Sequence, residues 1–357
     1  MTSEGEVGAP ILPAAPDANK HDASTPAMRL RTSLQIGRLA LRGARLAALL
    51  LCLAAAMGLA RRGVRSLGAA TTAPAFTGVL TFSSPGNGDP FHPATILDMD
   101  LATGDVAVRF NGLDGSVARS GETAFLQRVG GGLYADHAVV VADARGVPGP
   151  PLFACREFRW SDNRVCRTPK VAPNGRLVAF SAMGGGGTVC RDNYDMYFGS
   201  FVIVRDRRGA ELARYEGFYD PEWMPDGRLL MMGSGCRNAG VWVTDAALRG
   251  PSRVDGGQVA TPASAPAVSP DGRRVAFVWN QQLWAMPLIG RPELTQLTRL
   301  GKSVTAGAWS PDGQSMAAVT YDVSMPMRLV VLFRPGDPQS AVVRQISVYP
   351  YGPLSWR

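Results

Sequence analysis

Along residues 79–357 the apolar positions fall in short runs separated by Pro, Gly, Asn, Asp and Ser, and no long stretch carries them at helical spacing. The clearest runs, at 177–180, 229–232, 275–278 and 316–319, each follow a four-residue phrase. The phrases are Ala172-Pro173-Asn174-Gly175, Met224-Pro225-Asp226-Gly227, Ser269-Pro270-Asp271-Gly272 and Ser310-Pro311-Asp312-Gly313. Proline presets φ for the second position of a type I turn, Asn or Asp tolerates the third, and Gly takes the left-handed position that follows. The phrase therefore predicts a tight corner between two strands. Its prolines lie 52, 45 and 41 residues apart, a period that belongs to repeated sheet units.

Each unit has the same order. The first corner is followed by runs at 177–182, 200–205 and 211–215, the second by 229–233, 240–245 and a weaker one at 252–254. The third leads into 275–279, 282–287 and 294–298, and the fourth into 316–321, 328–333 and 341–347. With the strand ahead of each corner, a unit holds four strands. Two fainter units come first. Residues 119–148 keep a worn corner at Arg119-Ser120-Gly121 and runs at 123–128 and 138–142, while 78–110 offer 79–82, 95–101 and 106–110. Six units share the 282 residues of 76–357, 47 on average. The expected fold is all-β: a six-bladed β-propeller of four-stranded antiparallel blades. The first unit lacks a strand ahead of Val79, and the chain finishes in Leu354-Ser355-Trp356-Arg357, which repeats the setting of Trp223 and Trp309 just before their corners. Residues 352–357 are expected to supply the innermost strand of the first blade and close the ring, which removes exposed edges.

Charge separates the N-terminal part from this pattern. Residues 1–70 hold nine Lys or Arg against four Asp or Glu, so +5 of the +8 total lies there and the repeats are only mildly basic. Without a basic stripe interleaved with aromatics, nucleic-acid binding is not expected. Residues 1–40 read as a disordered basic tail, poor in apolar surface. Arg29, Arg31, Arg38, Arg42 and Arg45 precede an uncharged run at 46–60, closed by Arg61 and Arg62. Residues 41–62 are thus expected to form an apolar helix, either a signal-peptide core or a membrane anchor, with the N-terminus cytoplasmic and 63–75 as linker.

Four cysteines lie beyond that segment: Cys155, Cys166, Cys190 and Cys236. An even number after an export signal predicts disulfides, with three pairings open. Cys190 and Cys236 each fall in the loop after the first strand of their repeat, which makes Cys190–Cys236 reasonable and leaves Cys155–Cys166 as a local pair. No C-x₂₋₄-C spacing supports zinc.

The Ser-Pro-Asp-Gly phrase followed by Arg-Arg-Val-Ala-Phe at 273–277, and the Leu-Thr-Gln-Leu-Thr close at 294–298, resemble the repeats of TolB-type β-propellers. The resemblance covers 76–357 and is strongest in the last four units. It implies a six-bladed exported scaffold, usually non-catalytic, that binds partners at one face of the ring. TolB proteins carry a separate α/β domain ahead of the propeller and work in the periplasm with envelope proteins. Here a tail and an apolar segment take that place, so contacts made through such a domain are not expected.

Motifs for chemistry are few. His21, His92 and His137 are isolated and read as structural, so a histidine-held metal is not expected. Gly233-Ser234-Gly235 is too short for a nucleophile elbow, and the glycine run at 184–187 reads as a flexible inter-strand loop. Asp192, Asn193, Asp195, Asp220 and Glu222 read as solvated loop acids, with a calcium site as the alternative. Asp226, Asp271 and Asp312 are expected to shape their corners. Trp160, Trp223, Trp242, Trp279, Trp284 and Trp309 are expected between blades, although Trp160 sits in the polar stretch 156–164. Phe158, Arg159, Trp160 and Arg164, between Cys155 and Cys166, form the one surface segment with interface-like composition and are the candidate partner contact. No catalytic residue and no cofactor is assigned. The expectation is a non-catalytic, exported or membrane-anchored monomeric propeller that binds a protein or peptide in the cell envelope. The alternative is a cell-envelope propeller enzyme, a carbohydrate-active hydrolase or lyase, which acids or histidines converging on the central channel would favour.

Overall fold

The computed structural model describes residues 76–84, 94–129, 137–155, 165–190, 193–322, 325–346, 348 and 350–357. The expected tail, apolar helix and linker lie outside these residues. The first blade contains β1 (Val79–Ser84), β2 (Thr95–Asp100) and β3 (Val106–Asn111). The second is β4 (Leu113–Val117), β5 (Thr123–Arg128), β6 (His137–Ala142) and β7 (Phe153–Ala154). The third is β8 (Val165–Val171), β9 (Leu177–Cys190), β10 (Asn193–Asp206) and β11 (Glu211–Glu216). The fourth is β12 (Phe218–Trp223), β13 (Leu229–Gly233), β14 (Gly240–Val243) and β15 (Ser252–Arg253), with one helical turn at Gly235–Asn238. The fifth is β16 (Ser264–Val268), β17 (Arg274–Trp279), β18 (Gln282–Pro287) and β19 (Thr295–Gln296). The sixth is β20 (Ser303–Trp309), β21 (Met316–Asp322), β22 (Met325–Arg334) and β23 (Asp337–Gln345), and β24 (Tyr351–Trp356) returns to the first blade. All six sheets are antiparallel and four-stranded. Their innermost strands touch in a closed circle, β24, β4, β8, β12, β16, β20 and back to β24.

The corners form as their residues dictate. In each phrase the Gly N–H donates to the carbonyl three residues back, Gly175 to Ala172, Gly227 to Met224, Gly272 to Ser269 and Gly313 to Ser310, at 2.8–3.0 Å. The four glycines take φ of 67–87°. Oδ1 of Asn174, Asp226, Asp271 and Asp312 accepts the N–H two residues on, at 2.9–3.1 Å. The worn corner keeps the same bond, Gly121 N–H to the Ala118 carbonyl.

The second strand of a blade is covered on both faces by neighbouring blades, so it reads as a continuous apolar run rather than an alternating one. Phe82, Phe125, Phe180 and Phe277 occupy such strands and are fully buried. Closure follows the expected route. Leu80 pairs with Trp356 and Thr81 with Ser355, and Val79 and Arg357 exchange backbone hydrogen bonds of 2.8 and 3.0 Å. Leu354 joins the cluster of Leu80, Phe82 and Met99.

Two expectations are corrected. The 184–187 glycines are strand, not loop: β9 and β10 continue as a hairpin in which Gly184 faces Gly199 and Cys190 faces Asn193. A ladder needs only backbone groups, and the β-forming Thr188, Val189, Tyr194 and Phe198 beside the glycines favour it. Trp223 and Trp309 are buried between blades, but Trp242, Trp279 and Trp284 are only partly so; Trp279 and Trp284 pack edge to face with ring centres 5.1 Å apart.

Candidate functional site in the central channel

The innermost strands share an irregularity. Their pairing slips between Leu113 and Ser116, Arg167 and Lys170, Tyr219 and Glu222, Ser264 and Ala267, and Val304 and Ala306. At that point Asp114, Thr168, Asp220 and Ala265 take φ of 45–53°, and Gly352 takes 73°. Pro169, Pro221, Pro266 and Pro353 come next in four blades. Proline has no N–H for the ladder, so a bulge is where it fits. Left-handed backbone at a non-glycine residue costs about 1–3 kcal/mol and persists only where the surroundings hold it. The repetition turns Asp114, Thr168, Asp220 and Ala265 toward the channel.

These residues line a cavity of about 260 Å³ together with Arg167, Lys170 and the apolar Pro221, Pro266, Ala306 and Leu354. Its polar groups are bound blade to blade. Asp114 Oδ2 accepts the Thr168 N–H at 3.2 Å, and Asp220 Oδ2 accepts the Ala265 N–H at 2.9 Å. In turn Gly115 N–H donates to Ser83 Oγ and Asp220 N–H to Ser181 Oγ, at 2.9 and 2.8 Å. Thr168 Oγ1 reaches Asp220 Oδ1 at 3.4 Å. Burial pushes the Asp114 carboxyl above the ordinary range, with Arg167 pulling back; burial does the same to Asp220, opposed by the Ala265 N–H and Arg167. Asp114 is only 3 % exposed, and its Oδ1 has no hydrogen-bond partner among the described residues. Below the bulges Lys170 Nζ pairs with Glu222 at 2.6 Å. Trp223 Nε1–H donates to the Lys170 carbonyl and Trp309 Nε1–H to that of Ala267, both at 3.0 Å.

The acids at 220 and 222 are therefore channel residues, not solvated loop acids: a bulge re-aims Asp220, and its one trace in the residue order is the Pro221 that follows. Asp192 lies outside the described residues, Asn193 and Asp195 sit on β10, and no metal-holding group of His, Cys, Asp or Glu occurs among the described residues. His137 opens β6, buried. Cys155 and Cys166 form a disulfide, Cα atoms 5.7 Å apart, joining the end of the second blade to the inner strand of the third. Cys190 ends β9 and Cys236 lies in the helical turn; their side chains fall outside the described set, as do Phe158, Arg159, Trp160 and Arg164. Asp114, Arg167 and Thr168 escaped the sequence reading. The usable signal was a proline four residues ahead of a corner proline, Pro169 before Pro173, Pro221 before Pro225 and Pro266 before Pro270.

No family model matches the chain, and no curated protein does. Among solved structures, TolB from Acinetobacter baumannii is similar, with a TM-score of 0.59 and 13% identity over 79% of this chain and 67% of that one. The propeller shares its fold with that of TolB. Hydrazine synthase of Kuenenia stuttgartiensis gives a TM-score of 0.53 and 15% identity over 78% of this chain, which spans about half that chain's length, 48%. A chain of the nidogen/laminin complex gives 0.50 and 9% identity over 79% of this chain and 98% of that one. At these identities the likeness of the ring to each is one of fold.

Proposed function

We propose that this chain is an extracytoplasmic, non-catalytic binding propeller whose protein or peptide partner engages the central channel. The observation that carries the reading is the channel lining: mixed apolar and polar, preformed, and held by blade-to-blade hydrogen bonds. The Cys155–Cys166 disulfide supports an oxidising compartment. Likeness of fold to TolB and to a chain of the nidogen/laminin complex agrees with binding.

A second reading rests on Asp114 and Asp220, two carboxyl groups that face one cavity, the pair of groups that a glycan hydrolase uses. Against it, each already accepts a backbone N–H of the next blade, which explains it as a staple. The test places a photo-crosslinking residue at Ser264 or Thr305 on the channel wall, and at Val108 or Val343 on exposed outer strands. In cells that make the protein, discrete adducts are expected from the wall positions alone. Adducts from the outer strands alone, or from neither, would overturn the reading. Turnover of a glycan that Asp220→Asn abolishes would establish the second one.

A further inference from the structure

At the corner end the channel mouth is ringed by Pro173, Pro225, Pro270 and Pro311. The worn corner of the second blade departs from this pattern, since Arg119 stands in the proline position. Its guanidinium Nη2 donates to the Pro270 carbonyl at 2.6 Å. Pro270 belongs to the fifth blade, three places round a ring of six, so the side chain crosses the mouth from one wall to the opposite one. It lies between two hollows and lines both. One, of about 400 Å³, reaches Trp309, Pro311 and Trp356; the other, of about 170 Å³, reaches Pro173, Trp223 and Pro225.

The charges at this mouth are uneven. Lys170 is paired with Glu222 and Arg357 with Asp98, each at 2.6 Å. Arg119, exposed to solvent, holds among the described residues only a neutral carbonyl. A carboxylate brings a full negative charge and can take two parallel N–H bonds from the guanidinium, whereas the Pro270 carbonyl is neutral and accepts one. A carboxylate entering the mouth therefore outcompetes the Pro270 carbonyl for the same N–H groups, while losing the carbonyl bond costs little because water replaces it there.

We propose that the corner-side mouth is a carboxylate-binding site and that Arg119 is its latch. Binding draws the guanidinium off Pro270 and joins the two hollows into one opening on the channel. The idea rests on the channel as the place where a partner engages, and adds the chemistry of what enters: a carboxylate, from a chain terminus or an acidic side chain.

The test uses the full-length protein with isotope-labelled arginine and three probes: N-acetylglutamate α-amide, N-acetylglycine and, as neutral control, N-acetylglutamine α-amide. The Arg119 Nε–H signal is assigned by its loss in Arg119→Gln. At least one carboxylate probe is expected to shift that signal saturably, and Arg119→Gln to weaken its binding about tenfold or more with an unchanged melting temperature. The probe that responds identifies terminus or side chain. If Arg119→Gln proves misfolded, Arg119→Lys serves, and its affinity is expected to fall between the two. Equal response to the neutral amide, no binding of either acid at millimolar concentration, or unaltered affinity in both variants would overturn the proposal. Wall crosslinks that persist alongside such a failure would sink the latch and leave the channel reading standing; carboxylate binding without wall crosslinks would do the reverse.

Discussion

At the scale of single residues, Asp114 and Asp220 are the informative ones, because the protein places a carboxylate where burial opposes its charge. An acid whose folded pKa lies above its unfolded value binds protons more tightly when folded. Between the unfolded value of 3.8 and the raised folded one, stability therefore falls as pH rises, and below 3.8 the contribution is complete. Asp220→Asn keeps an oxygen for the Ala265 N–H and removes the charge. Its melting temperature relative to wild type is expected to climb as the pH rises from 3.8 through the raised folded value, since the wild type loses stability there and the variant does not. A constant difference across that range would show that burial does not set the Asp220 pKa. Little of this was legible in the residue order: Pro221, four residues ahead of the corner proline, marks a break in the ladder, but an Asp-Pro pair there reads as loop, and only the bulge, with its left-handed φ, turns the side chain to the axis.

At the scale of the element, the corner was the most legible feature, because Pro, Asp and Gly each fix a local dihedral or hydrogen bond without help from distant residues. The structure adds that corners nest. A Cβ on Gly272 would lie 3.2 Å from Pro225 Cδ of the preceding blade, whereas one on Gly227 would meet nothing within 4 Å. Both glycines are left-handed, with φ of 70° and 87°. Alanine at either site therefore costs about 1–2 kcal/mol for the backbone, and Gly272→Ala bears the packing contact in addition. Gly272→Ala is expected to melt lower than Gly227→Ala by thermal unfolding; equal values would remove the nesting. The 184–187 run shows the limit of local reading, since glycines taken as breakers continue a ladder set by partners on β10. Arg119 shows another: its acceptor lies 151 residues away and becomes a neighbour only when the ring exists.

At the scale of the whole molecule, the number of blades and the route of closure follow from counting corners and noticing a unit short of one strand. Closure is held by more than the ladder. Trp356 Nε1–H donates to the Thr77 carbonyl at 3.0 Å, Arg357 reaches Asp98 at 2.6 Å, and Val117 N–H donates to Ser355 Oγ at 3.0 Å, tying the last strand to the first and second blades. Removing residues 352–357 takes away this strand and the buried Leu354. At about 25 cal/mol per Å², the buried Leu354, the partly buried Trp356 and the apolar surface of Leu80 and Phe82 that they cover together make the loss several kcal/mol. With about 2–4 °C per kcal/mol for a chain of this size, the melting point is expected to fall by roughly 10 °C or more; a truncated chain that melts with the full-length protein would refute the clasp.

That clasp also dictates an order of events during synthesis. Leu80 finds its partner only when Trp356 has been made. Until then the growing chain holds an open arc, with the inner edge of β1 waiting bare, and any chaperone that guards it must stay until residues 351–356 have been made.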